Sequence, residues 1–89
     1  MKIRKSENPK KKYDAIFDDG RIVSFGAAGY TDYTLGASDT QRERYLARHR
    51  STEDWNNPYS PGALSARILW GESRSVETNL ASYRKHFRL

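Results

Sequence analysis

No cysteine occurs among the 89 residues, which rules out a disulfide framework, a thiolate metal site and a thiol nucleophile. Apolar residues are scarce, 36% against 30% charged, and no stretch approaches the roughly 20 apolar residues needed to span a bilayer. The N-terminus is basic but lacks the apolar segment of a signal peptide, so the expected setting is intracellular, or a structure assembled inside a cell. Histidine is limited to His49 and His86, on separate predicted helices, with no His-x-x-x-His or His/carboxylate spacing for zinc. The adjacent acidic pair Asp18-Asp19 is accounted for by a turn. With no convergent set of reactive groups, the expectation is a binding or structural module and not an enzyme: no catalytic residue, no metal, no cofactor.

What the chain does have is eleven aromatic residues and an uneven charge. A chain of this length makes one domain and buries only about 60–65% of its unfolded surface, so its core must be thin and built on aromatic rings. The net charge of +5 lies entirely in residues 1–12, where Lys2, Arg4, Lys5, Lys10, Lys11 and Lys12 face only Glu7. Residues 13–89 balance ten basic against ten acidic side chains. The expected organisation is therefore a flexible basic N-terminal arm, 1–12, followed by a neutral domain, 13–89. Such an arm is either a solvated tail or a tether to an acidic surface or nucleic acid.

Tyr13–Phe17, Asp18-Asp19-Gly20 and Arg21–Phe25 read as a β-hairpin. A two-residue loop splits the apolar set across the sheet. A three-residue loop with Gly20 in the left-handed region gathers Tyr13, Ala15, Phe17, Val23 and Phe25 on one face, and is the better register. Gly26 to Gly36 has no period and reads as an irregular loop anchored by Tyr30 and Tyr33. No Gly-Lys-Ser/Thr follows Gly26 and Gly29, so a turn is favoured over a phosphate cradle.

Three helices are expected after the hairpin. The first opens on the capping-box spacing Ser38–Gln41 and runs to about Glu53. Its inner stripe is Arg42, Tyr45, Leu46 and His49, with His49 as a packed, hydrogen-bonded histidine. Its remaining arginines, Arg44, Arg48 and Arg50, are expected in a mixed salt-bridged surface with Asp39, Glu43, Glu53 and Asp54. After a loop at Trp55–Tyr59, Ser60-Pro61 supplies a cap and a proline at the first turn of a short helix. This helix turns Leu64, Ile68 and Leu69 inward and stops at Gly71. The last helix starts near Ser73 or Ser75, with Val76, Leu80, Tyr83 and Phe87 as its apolar stripe and Asn79 outside that stripe. Arg84, Lys85 and Arg88 suit the negative end of its dipole. The fold class is α+β, an N-terminal β-hairpin followed by three helices.

Phe25-Gly26, Gly29-Tyr30-Thr31-Asp32-Tyr33-Thr34, Arg42 through His49, Trp55-Asn56 and Leu69-Trp70 together resemble a family of short proteins encoded by large eukaryotic DNA viruses, the chlorella-virus and mimivirus-like giants. The likeness covers residues 13–88, with Ala63 standing where the family carries a bulkier side chain. The family has no established function or catalytic residues, so none is carried over. The resemblance implies a virion or virus-factory component assembled in the host cell, a minor capsid or cement protein whose partners are other capsid proteins. A nucleic-acid-binding accessory protein is the alternative. Under either reading the partner-binding candidates are Lys2, Arg4, Lys5, Lys10, Lys11, Lys12, Arg44 and Arg48.

Overall fold

The structure, a computed structural model, describes residues 1–89. Its elements are β1 (Lys2–Lys5), β2 (Lys11–Ile16), β3 (Ile22–Ala27), α1 (Asp39–Arg50), α2 (Pro61–Leu64) and α3 (Val76–Phe87). A short 3-10 turn lies at Tyr33–Leu35, and a π-helical turn, Ser65–Leu69, continues α2. The architecture is a three-stranded antiparallel sheet followed by three helices, an α+β fold.

β2 and β3 pair with Tyr13 opposite Phe25 and Ala15 opposite Val23. The Phe17 amide donates to the Arg21 carbonyl at 2.9 Å. This is the register with a three-residue loop, and Gly20 takes φ +92° there, a conformation that costs glycine nothing. The choice follows from burial, because only this pairing places Ala15, Phe17 and Phe25 together in the core.

Residues 1–12 correct the expectation of a flexible arm. Lys2–Lys5 form an edge strand, with Ile3 opposite Ala15 and Lys5 opposite Tyr13. Local chemistry accounts for the connection. Asn8 accepts the Lys10 amide on Oδ1 and the Lys11 amide on its carbonyl, both at 3.0 Å, around Pro9. Proline there pre-sets the backbone angle of a turn, and Asn completes it. Met1 is buried and Ile3 is partly buried against the core.

The other face of the sheet holds a polar cluster in place of a second core. Asp14 is only 4% exposed. Its carboxylate accepts from the hydroxyls of Ser6 and Ser24, each at 2.7 Å, and from the Arg4 guanidinium at 3.4 Å. A buried carboxylate without such donors would be strongly destabilising; with three partners on three segments it ties β1 to β2 and β3.

The main core lies between the inner face of the sheet and the helical segment 61–70, where Leu64, Ile68 and Leu69 are fully or almost fully buried. Ser60 caps α2 by accepting the Ala63 amide at 3.4 Å, and Pro61 fills the first turn. The expected α-helix widens after Leu64, so that the Trp70 amide bonds the Ser65 carbonyl at 3.0 Å. Carbonyls at its end are taken by side chains from elsewhere. Arg42 donates through Nε to the carbonyls of Trp70 and Gly71, both at 3.0 Å, and Asn79 donates to that of Ile68 at 2.8 Å. Gly71 has no room for a side chain, since a Cβ would sit 2.7 Å from Asn79 Cγ.

Asn79 is the second correction. It is 4% exposed, and beyond its bond to Ile68 it accepts the Ser73 amide at 3.1 Å and donates to the Ser73 carbonyl at 2.7 Å. The inner stripe of α3 thus combines the expected Val76, Leu80, Tyr83 and Phe87 with a polar residue that binds the preceding loop. Ser75 caps this helix by accepting the Thr78 amide at 3.2 Å.

Candidate functional site

Helix α1 carries the capping box expected of it: Ser38 Oγ accepts the Gln41 amide at 3.1 Å, and Gln41 Oε1 accepts the Ser38 amide at 2.8 Å. Arg42, Tyr45, Leu46 and His49 form its half-buried stripe. Tyr45 lies flat on Trp70 with ring centroids 4.3 Å apart, and His49 covers its other side at 4.2 Å. Burial pushes the Tyr45 hydroxyl up to about 12. His49 packs on Tyr45 as the sequence implied, with its Nδ1 3.4 Å from Glu53 Oε1. This three-ring stack forms one wall of a cleft.

The facing wall comes from the end of the sheet and the loop after β3. That loop is fixed by Asp32, which is 1% exposed. Its carboxylate accepts Lys12 Nζ at 2.6 Å, the Thr34 amide at 2.8 Å and the Leu35 amide at 3.2 Å. Tyr33 is a second anchor, donating its hydroxyl to Asp39 at 2.7 Å, with the Arg74 guanidinium 4.1 Å over its ring. The bond to Asp39 raises the pKa of Tyr33, because the phenol that donates is favoured over the phenolate. Tyr30, expected as an anchor, is 73% exposed and holds nothing in place. The reason is the pairing of Asp32 with Lys12, which fixes the loop without it.

Between these walls lies a cleft of ≈ 380 Å³, bordered by Lys12, Tyr30, Thr31, Arg48, His49 and Trp70. A second cleft, ≈ 390 Å³, lies between α1 and α3 and is bordered by Arg42, Trp55, Arg67, Glu72 and His86. Both arginines of that second cleft already bind backbone carbonyls, Arg67 to Trp55 at 2.9 Å. No group of three His, Asp or Glu side chains is close enough to hold a metal ion, and no helix is long and apolar enough to cross a membrane.

The candidate cations divide into three sets. Lys2, Lys5, Lys10 and Lys11 are exposed and make no ion pair, but they are fixed on β1, its turn and β2. Arg4 and Lys12 have internal partners, Asp14 and Asp32. Arg44 and Arg48 are exposed on α1, and Arg48 shares the cleft with Lys12 while Arg44 lies outside it. The mixed salt-bridged surface expected on α1 does not form. Arg44, Arg48 and Arg50 have no carboxylate within 4.0 Å, because Asp39 is held by Tyr33 and Arg74 and Glu53 by His49. Tyr30 as a cleft residue, the Tyr45–Trp70 stack and the anchoring role of Asp32 are not legible in the sequence. The one local signal was an aromatic ring beside Gly29 in a loop with no apolar period.

No curated protein and no solved structure matches the chain. A family model described as a family of unknown function (DUF5754) matches residues 1–49. That span runs from β1 through His49 and takes in Lys2–Lys12, Tyr30, Arg44 and Arg48. The match covers more than half of the 89 residues, and the chain belongs to this family of unknown function (DUF5754).

Proposed function

We propose that the protein is a structural component of the particle of a large icosahedral DNA virus, a minor capsid or cement protein that joins capsid proteins by contact alone and is assembled in the host cell. The observation that carries this reading is the fixed basic surface of residues 1–12: Lys2, Lys5, Lys10 and Lys11 are exposed, unpaired and held on β1, its turn and the start of β2. Cations on an ordered strand lose less conformational entropy on docking than cations on a free tail, which favours a defined acidic surface on a neighbouring subunit. The likeness of residues 13–88 to short proteins of giant DNA viruses supports the viral setting.

Charge reversal tests the surface. Lys5→Glu with Lys11→Glu is expected to lower incorporation into particles several-fold while leaving the thermal midpoint within a few degrees, since neither side chain has an internal partner. Incorporation equal to that of the unaltered protein would overturn the reading. Mass spectrometry of particles separated into shell and genome core places the protein, with the shell expected.

The cleft between Tyr30 and Arg48 favours a second reading, a nucleic-acid-binding accessory protein. The two readings differ in salt dependence: contacts to duplex phosphates weaken with a log–log slope of about −0.9 per phosphate neutralised, whereas capsid contacts built on apolar burial depend on salt much less.

A further inference from the structure

We infer that the cleft between the loop after β3 and helix α1 is a binding site for single-stranded nucleic acid, with one base stacked on Tyr30 and its phosphate held by Arg48. This rests on the second reading above and assigns it a site. Tyr30 leaves 73% of its surface in solvent although Asp32 and Tyr33 already fix its loop, so neither the core nor the loop accounts for the ring. Arg48 is exposed on the same cleft with no carboxylate partner. The volume, ≈ 380 Å³, falls within the range of small-ligand sites and accommodates a nucleotide.

The path out of the cleft is basic. The Ala28 amide donates to the Lys10 carbonyl at 3.0 Å, which sets the loop carrying Tyr30 directly beside the end of β2. Lys10, exposed and unpaired, therefore stands next to the loop that carries Tyr30. A groove that tracks a backbone with cations while an exposed ring takes a base is the arrangement that binds single strands without sequence preference. The chemistry selects among polyanions. In a duplex the bases are stacked on one another and closed to Tyr30, and an acidic peptide would use the cations but has no planar face for the ring.

The test is fluorescence anisotropy of the full chain with a labelled twelve-nucleotide oligo(dT), a duplex of the same length, and polyglutamate as competitor. The expected result is preference for the single strand. Tyr30→Ala is expected to weaken binding about tenfold, within the range set by loss of one base–aromatic stack, while Tyr30→Phe keeps it. Arg48→Ala is expected to lower the single-strand salt slope by about 0.7, one phosphate, and Arg44→Ala, outside the cleft, to change it little. All three positions are exposed, and circular dichroism checks that the variants fold. If the oligonucleotide binds but Tyr30→Ala and Arg48→Ala match the unaltered protein, the cleft assignment is overturned while nucleic-acid binding stands. If no nucleic acid binds, the second reading itself fails. If the duplex binds as tightly as the single strand, or polyglutamate displaces the oligonucleotide as well as unlabelled oligo(dT) does, stacking is not recognised and the assignment fails.

Discussion

Gly20 sits at φ +92°, where a side chain is strained whatever space surrounds it. Gly20→Val is therefore expected to cost about 1–3 kcal/mol. Asp19→Ala removes an acceptor for the Arg21 amide on an exposed turn and is expected to cost about 0.5–1 kcal/mol. Thermal melts compare the two, and a reversed order would contradict the three-residue loop. Asn79→Ala is the more severe change. It leaves the Ile68 and Ser73 carbonyls and the Ser73 amide without their partner, for an expected loss of about 2–4 kcal/mol. Urea unfolding should rank it with Leu80→Ala and well above Glu77→Ala, which lies on the exposed face. Asp14 provides a pH test. Hydroxyls of Ser24 and Ser6, aided by Arg4, hold its carboxyl below the ordinary 3.8. A lowered folded value means a contribution present above the unfolded value and lost as pH falls through the folded one. Asp14→Asn is therefore expected to be destabilised at pH 7, with the gap to the unaltered protein closing in urea melts below about pH 3.8. A gap independent of pH would mean that the ionised form contributes nothing.

At the scale of elements, β1 decides how the N-terminal segment behaves. If residues 1–12 were a free arm, their removal would leave the domain intact. In the structure Met1 is buried, Ile3 packs on the core, and Arg4 and Ser6 supply donors to Asp14. Deleting residues 1–5 is expected to cost about 2–4 kcal/mol, the scale of burying one or two apolar side chains, and to lower the thermal midpoint by more than ten degrees. An unchanged midpoint would show that the strand contributes nothing to stability. β1 also leaves one sheet edge open, and three of its four residues are cationic. Lysine on an edge strand opposes edge-to-edge pairing with a second copy. The π-helical turn is a second element with a purpose in packing. By widening at Ser65 it presents Leu69 to β3 and Trp70 to Tyr45, so one segment joins the sheet to α1.

Hydrogen-bonded side chains join the elements around a thin core, and two tyrosines report on that. Burial raises the pKa of Tyr83 strongly and that of Tyr45 to about 12, and the Tyr83 hydroxyl donates to the Pro58 carbonyl at 2.7 Å. A raised folded value means stability that is complete below the unfolded value and lost as pH rises above it. The protein is therefore expected to lose stability from about pH 10 upward, with Tyr83→Phe losing less over that interval. Urea melts at pH 8 and pH 11 check this; equal slopes for the two proteins would remove Tyr83 as the cause. Four of the six tyrosines also divide by task. Tyr83 and Tyr45 join elements, Tyr33 fixes a loop, and Tyr30 faces solvent beside unpaired cations.

Periodicity and caps were sufficient for much of this fold. The hairpin register, the capping box at Ser38, the Ser60-Pro61 start and the apolar positions of α3 are legible because each is set by residues close in sequence or by a two- or 3.6-residue repeat. Composition alone also placed the excess charge. What it could not decide was where a basic segment goes when its few apolar atoms find a partner. Ile3 and the Asn8-Pro9 turn are weak signals, and β1 exists because β2 offers an open edge and Asp14 a carboxylate to bind. Asn79 was misplaced for a similar reason: a polar residue on an apolar stripe reads as solvent-facing unless the carbonyls of Ile68 and Ser73 are known to meet it. The cleft is decided by tertiary structure alone. Lys12, Tyr30 and Arg48 come from three separate segments, and no local rule brings them together. They meet because Asp32 binds the loop to β2 and Tyr45 binds α1 to Trp70.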